Sequence, residues 1–134
     1  MKKPLLLDGA MGTELINRGI NLPLPIWSAD ANLIHPEVVK GIHSDYIKAG
    51  ADIITTNTFR TTTWTYRKAG HTSVRAKERA KDSLYKAVEC AQSTSSKAVK
   101  VAGSITTLED CYSPEKFPGK TAAEQSYGET TEWM

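Results

Sequence analysis

Three short clusters hold residue types able to do chemistry: Asp8-Gly9, Thr56-Asn57-Thr58 and Gly103-Ser104. Each closes an apolar or β-branched run. Asp8 offers a carboxylate that can accept hydrogen bonds from an ammonium group, or cap the turn made by its own following amides. Gly9-Ala10-Met11-Gly12 lets the backbone approach a ligand closely and turns N–H groups toward an anion. The segment has neither the GxGxxG nor the P-loop spacing, so it is not read as a nucleotide loop. Asn57 and Thr58 add neutral donors and acceptors, with no charge cluster that would suggest phosphate chemistry.

The remaining reactive residue types do not assemble by spacing. His35 reads as a helix cap, His43 as the edge of an apolar stripe and His71 as a turn residue beside Gly70. Three separated histidines do not argue for a metal site, and no Ser-His-Asp set is evident. Cys90 and Cys111 have no cysteine nearby, which excludes a disulfide framework or a zinc knuckle within the chain. Glu109 and Asp110 would oppose thiolate formation at Cys111.

The elements that must position these clusters alternate. Leu5-Leu6-Leu7 reads as a buried strand, and Thr13 to Arg18 as a short helix closed by Gly19. Residues 20–34, with Pro23 and Pro25, read as a loop in which Trp27 packs over a core edge or lids a pocket. His35-Pro36-Glu37 opens a helix that stops at Gly50. Ala51–Thr56 is a β-branched strand, Trp64–Ala69 a short helix, and Val74–Gln92 a long one with Ala80, Leu84, Ala87, Val88 and Ala91 on a stripe. Ala98–Ala102 is a third strand. Residues 106–120 read as irregular, and a further helix starts at Thr121, within which the chain stops. Strands alternating with helices predict an α/β fold with parallel pairing, and ligands in such folds gather at the carboxyl ends of the strands. The three clusters would then share one face.

Composition fits this picture. The chain has 134 residues, 40% hydrophobic and 24% charged, with a net charge of +2. It has no apolar run near the roughly 20 residues a membrane helix needs, and the Leu5–Leu7 run is too short for a signal peptide, so a cytoplasmic protein without a membrane partner is expected. Residues 60–100 hold ten Lys/Arg against three Asp/Glu. Without a nucleic-acid motif or interleaved aromatics, this block reads as a solvated helix face, and no nucleic-acid partner is expected.

Leu6-Leu7-Asp8-Gly9-Ala10-Met11-Gly12-Thr13-Glu14-Leu15 resembles the opening motif of the homocysteine S-methyltransferases. His35-Pro36-Glu37-Val38-Val39 with His43-Ser44-Asp45-Tyr46, then Ala49–Ile54 leading to Thr56-Asn57-Thr58-Phe59, then Val101–Ile105 resemble later segments in the same order. The resemblance covers about residues 5–115. It implies a (β/α)₈ barrel, of which 134 residues supply about three β/α units against the roughly 250 residues of a whole barrel. Residues 1–134 would form a partial homocysteine-binding domain, truncated inside the helix after strand three.

The resemblance also implies roles. Asp8 would hold the homocysteine amino group, and the amides of Gly9, Ala10 and Met11 its carboxylate. Asn57, Thr58 and Phe59 would line the pocket, with Trp27 covering it. The family's partners are homocysteine and a methyl donor, with zinc activating the thiol. The family's zinc-binding cysteine motifs of the late strands are absent here, so no catalytic or metal-binding residue is expected in this chain and it alone is expected to be inactive. Thr106-Thr107 and Thr55 depart from the family's usual residues. The alternative is a non-catalytic assembly module that binds a partner chain to complete the barrel. An open sheet would leave unpaired edges, and Leu6, Ile54 and Val101 without barrel partners, favouring self-association.

Overall fold

The computed structural model describes residues 3–134. Its elements follow the order α1 (Met11–Asn17), α2 (Ala31–Ile34), α3 (Pro36–Lys48), β1 (Ile53–Thr55), α4 (Thr63–Lys68), α5 (Ser73–Thr94), β2 (Lys100–Ala102) and α6 (Lys120–Trp133). β1 and β2 pair in parallel, with Ile54 opposite Val101. The Leu5–Leu7 run joins on the other side of β1 through a parallel bridge between Leu7 and Ile53. β1 therefore lies between two parallel neighbours, and all three segments end on the same side.

Local chemistry explains the boundaries. Pro36 stands in the first turn of α3, Glu37 follows it and Lys48 is in the last turn, which matches the helix dipole at both ends. The helix stops where Gly50 takes φ 105°, a conformation costly for any residue with a Cβ. Thr62 and Thr72 cap α4 and α5 by accepting from the amides of Thr65 and Arg75. The buried stripe of α5 is Ala76, Ala80, Leu84, Ala87 and Ala91, mostly small, so α5 can lie close to α3 and α4.

Three expectations need correction. Residues 20–34 are not loop throughout: the prolines block regular structure only upstream, and α2 forms at Ala31–Ile34. The region expected to be irregular after β2 includes a 3₁₀ turn at Pro114–Lys116. Nor are Ile54 and Val101 left bare. Ile54 is fully buried with Ala51 and Ala91, and Val101 and Ile47 pack against that cluster. Those side chains face the helices, whereas Leu6 is 54% exposed.

The basic block is partly neutralised. Arg79 pairs with Asp30, Lys86 with Glu89, and Lys77 with Glu129 of α6. Glu129 also accepts from Thr63 Oγ1 at 2.6 Å, which ties α6 to α4. No helix of the described residues is long and apolar enough to cross a membrane.

His43 is fully buried in α3, and neither ring nitrogen has a hydrogen-bond partner. Burial pushes its pKa down, and the charge of Asp8 only partly opposes this. The folded chain therefore resists a proton that the unfolded chain takes up near pH 6.5. Below that pH the unfolded state binds more protons, so stability falls as pH falls. We expect a loss of up to about 2 kcal/mol between pH 7 and pH 5 in urea melts. Glu89 and Glu109, whose pKa values are lowered, act only in the more acidic carboxylate range. A His43→Leu variant should flatten this slope, and an unchanged slope would show that His43 is not its source.

Candidate functional site

A cleft of about 310 Å³ opens at the carboxyl ends of the parallel segments. That volume is at the small end of the range for small-molecule sites. The Gly9–Gly12 segment, Trp27 and Ser28, Thr55–Asn57, Phe59 and Ser104 line it. Four separate stretches of sequence thus meet: the parallel sheet brings three strand ends together, and the segment before α2 adds Trp27 and Ser28.

Asp8 does not line the cleft, but Gly9, next to it in sequence, and Thr55, its hydrogen-bond partner, do. Its Oδ2 accepts from the Thr55 amide at 2.8 Å and its Oδ1 from Thr55 Oγ1 at 2.9 Å. The carboxylate is therefore fixed by the adjacent strand rather than by its own turn. Each oxygen keeps further acceptor capacity, so a cation can still be received.

The two glycines of the first loop make room for aromatic rings. A Cβ on Gly9 would lie 2.8 Å from the Tyr46 hydroxyl, and one on Gly12 2.6 Å from Trp27 Nε1. Tyr46 in turn donates to the Ala10 carbonyl at 2.8 Å and holds the loop down. The first-turn amides of α1, like those of any helix, have no intrahelical acceptor, and no N-cap side chain accepts from them either. Trp27 both packs against the Leu15–Leu22–Val39–Ile42 core and lines the cleft, and it takes φ 53° to do so.

Asn57 and Thr58 are placed differently. Asn57 touches the cleft, but its side-chain amide is engaged: Oδ1 accepts from Ser28 Oγ, and Nδ2 donates to the Ser28 carbonyl and to Asn32 Oδ1. Thr58 is buried outside the cleft lining. Its Oγ1 donates to the Ser104 carbonyl at 2.7 Å and accepts from the Ser104 amide at 3.1 Å, which fastens the end of β1 to the end of β2. Sequence reasoning placed Gly12, Thr56 and Ser104 in the strand-end clusters without giving them a role in the pocket, and it missed Ser28 and Thr55 as site residues. For Thr56 and Ser104 the strand-end position was the available signal. For Ser28 and Thr55 it was adjacency to Trp27 and Thr56.

Fold and cleft together define an α/β protein that presents a small-molecule cleft at the ends of parallel strands. Residues 5–134 match the family model described as homocysteine S-methyltransferase, and the chain belongs to that family. It is 47% identical over 58 residues to homocysteine S-methyltransferase of Escherichia coli, covering 43% of this chain and 19% of that protein. It is 38% identical over 87 residues to homocysteine S-methyltransferase 2 of Zea mays, covering 65% of this chain and 24% of that protein. The metallated form of the homocysteine methyltransferase MmuM from Escherichia coli superposes with a TM-score of 0.80 at 26% identity, covering 98% of this chain and 50% of that one. The chain thus spans about half the length of that solved relative.

The residues present do not fit a metal. Among the described residues, no group of three or more His, Cys, Asp or Glu side chains is arranged to hold one. Cys90 is buried in α5 with Sγ 3.7 Å from the Pro36 carbonyl, and burial pushes its thiol pKa up, away from the thiolate a metal needs. Cys111 is exposed in the segment after β2.

Proposed function

We propose that this chain carries the amino-acid-binding part of a homocysteine S-methyltransferase, built as the N-terminal portion of a (β/α)₈ barrel. The observation that carries this reading is the Asp8 carboxylate, held by Thr55 beside a cleft that the first-turn amides of α1 also border. Asp8 would take the ammonium group of homocysteine, and the amides of the Gly9–Met11 segment its carboxylate. Trp27 and Phe59 supply apolar surface for the side chain. Asn57 and Thr58 keep the strand ends in register around it.

Methyl transfer needs the homocysteine sulfur as a thiolate. The donors for the family's zinc would come from outside these residues, as would whatever completes the methyl-donor site. S-methylmethionine, S-adenosylmethionine, a methylated betaine, or a folate or cobalamin system all suit this reading. The outer edge beside Leu5, Leu6 and Leu7, exposed at 62%, 54% and 58%, supports pairing with further polypeptide or a second copy.

The purified 134-residue chain should therefore bind homocysteine without forming methionine. Amide NMR shifts at Met11 and Thr55 measure the binding, and methionine formation from S-methylmethionine measures the transfer. Shifts without turnover are expected. Methionine formed by this chain would overturn the division of labour, and unmoved amides at millimolar homocysteine would overturn the binding reading.

A further inference from the structure

Arg60 follows Phe59 in the segment between β1 and α4. It is only 7% exposed, and its Nε is sealed from solvent without a partner. Among the described residues it makes no ion pair or side-chain hydrogen bond. Unlike a buried lysine, an arginine cannot shed its proton to escape the cost of burial, so the charge stays. The charges that share its groove cancel one another. Glu109 and Asp110 are matched there by Lys68 and Lys116. Glu109 accepts from Lys68 Nζ and Trp64 Nε1, and Asp110 Oδ1 accepts from the Tyr112 amide. Arg60 is left as an uncompensated cation that solvent screens poorly.

That cation adjoins the homocysteine cleft without lining it. Its guanidinium carbon lies over the Phe59 ring, 5.3 Å from the ring centre, and Phe59 lines the cleft. Attraction between cation and ring holds both in place. A sulfur packed on the ring at the usual distance of about 5 Å would lie within about 10 Å of the guanidinium. At about 10 Å and an effective dielectric of about 20, a unit charge changes the ratio of thiolate to thiol about tenfold. None of the described residues that line the cleft is charged, so the lining does not oppose this field. Asp8, behind Thr55, would oppose a thiolate, but the ammonium group of the ligand answers its charge.

We propose that Arg60 supports the thiolate form of homocysteine in the first cleft, its field acting across the Phe59 ring. This role rests on the homocysteine reading of that cleft. On binding, the S–H bond breaks, the electron pair stays on sulfur and the proton leaves to solvent. Arg60 is a positioning residue: it touches the ring and not the sulfur.

Paired titrations with homocysteine and methionine under reducing conditions, followed at the Met11 and Thr55 amides, test this. Methionine carries the same amino-acid groups but no ionisable sulfur. Between pH 6.5 and pH 8.5, homocysteine affinity of the wild-type chain should rise about fivefold relative to methionine affinity. Arg60→Met should hold that ratio within about twofold, Arg60→Lys should keep most of the rise, and methionine affinity should change less than about twofold in either variant. A flat wild-type ratio, with both ligands bound, overturns the role of Arg60 whether or not the variants fold, and leaves the homocysteine reading standing. A rise that survives in Arg60→Met overturns it too. So do equal losses of both ligands in that variant, which would make Arg60 a packing residue. Amides unmoved by either ligand would overturn the homocysteine reading and the role of Arg60 with it.

Discussion

Replacing Asp8 by Asn is expected to weaken homocysteine binding by roughly 10- to 100-fold, the worth of one hydrogen bond to a charged group. Asparagine keeps the shape of the side chain. Its single oxygen can still accept from Thr55, whose amide and hydroxyl lie 2.8 and 2.9 Å from the carboxylate. The strand junction should therefore survive, and the loss should fall on the ammonium group of the ligand. A ligand lacking the amino group, 4-mercaptobutyrate, isolates that term. It should bind the wild-type chain weakly and lose almost nothing further in Asp8→Asn, giving a double-mutant-type cycle between side chain and amino group. Equal losses for both ligands would mean that Asp8 acts by holding the loop, not by meeting the ammonium. Thr55→Val complements this test. It removes one of the two bonds that aim the carboxylate and should cost less affinity than Asp8→Asn.

The order of elements was legible because punctuation residues stand where the physics requires them. Pro36 opens α3, and Gly50 and Gly70 take φ 105° and 95° where α3 and α4 end. Strand length was less legible. The run Ala51–Thr56 reads as six strand residues, yet β1 is Ile53–Thr55. The reason is that side chains take over ladder positions at its ends. The Leu6 amide donates to Asp52 Oδ2, and the Thr55 amide donates to Asp8 Oδ2. No local pattern announces such substitutions, since the partners are 46 and 47 residues apart. The same distance hides much of the site. Asp8 and the glycine loop stand out by residue type, whereas the commitment of Asn57 to Ser28 and Asn32 depends on how the 20–34 segment folds back. Arg60 looks like one more cation of a basic block. Only its burial, with Nε left without a hydrogen-bond partner, sets it apart from the paired Arg79 and Lys86.

Asn57→Leu should be the most destabilising single change at the site, by about 3–5 kcal/mol. Leucine has the same number of side-chain heavy atoms with the same branching, so the outline is kept; the lost hydrogen bonds carry most of the effect, and the bulkier methyl groups add to it. Asn57 is 3% exposed, and its amide serves three partners: Ser28 Oγ at 2.7 Å, the Ser28 carbonyl at 2.9 Å and Asn32 Oδ1 at 2.9 Å. Leucine leaves all three without their partner away from water, and each such group costs about 1–3 kcal/mol. Asn32 continues the chain of bonds, donating to the Asn57 carbonyl and to Ser83 Oγ, which donates to the Ala29 carbonyl. One network thus joins the Trp27 loop, α2, the end of β1 and α5. A loss of that size is a large share of the roughly 5–15 kcal/mol a domain usually has, so the urea midpoint should drop sharply. Ser28→Ala alone should cost less, because it removes the hydroxyl and leaves its carbonyl bond to Asn57 in place. The double variant should then be less destabilised than the sum of the two, since both disrupt one network. Strict additivity, or a shift under about 1 kcal/mol for Asn57→Leu, would mean that the cleft does not depend on this junction for its shape.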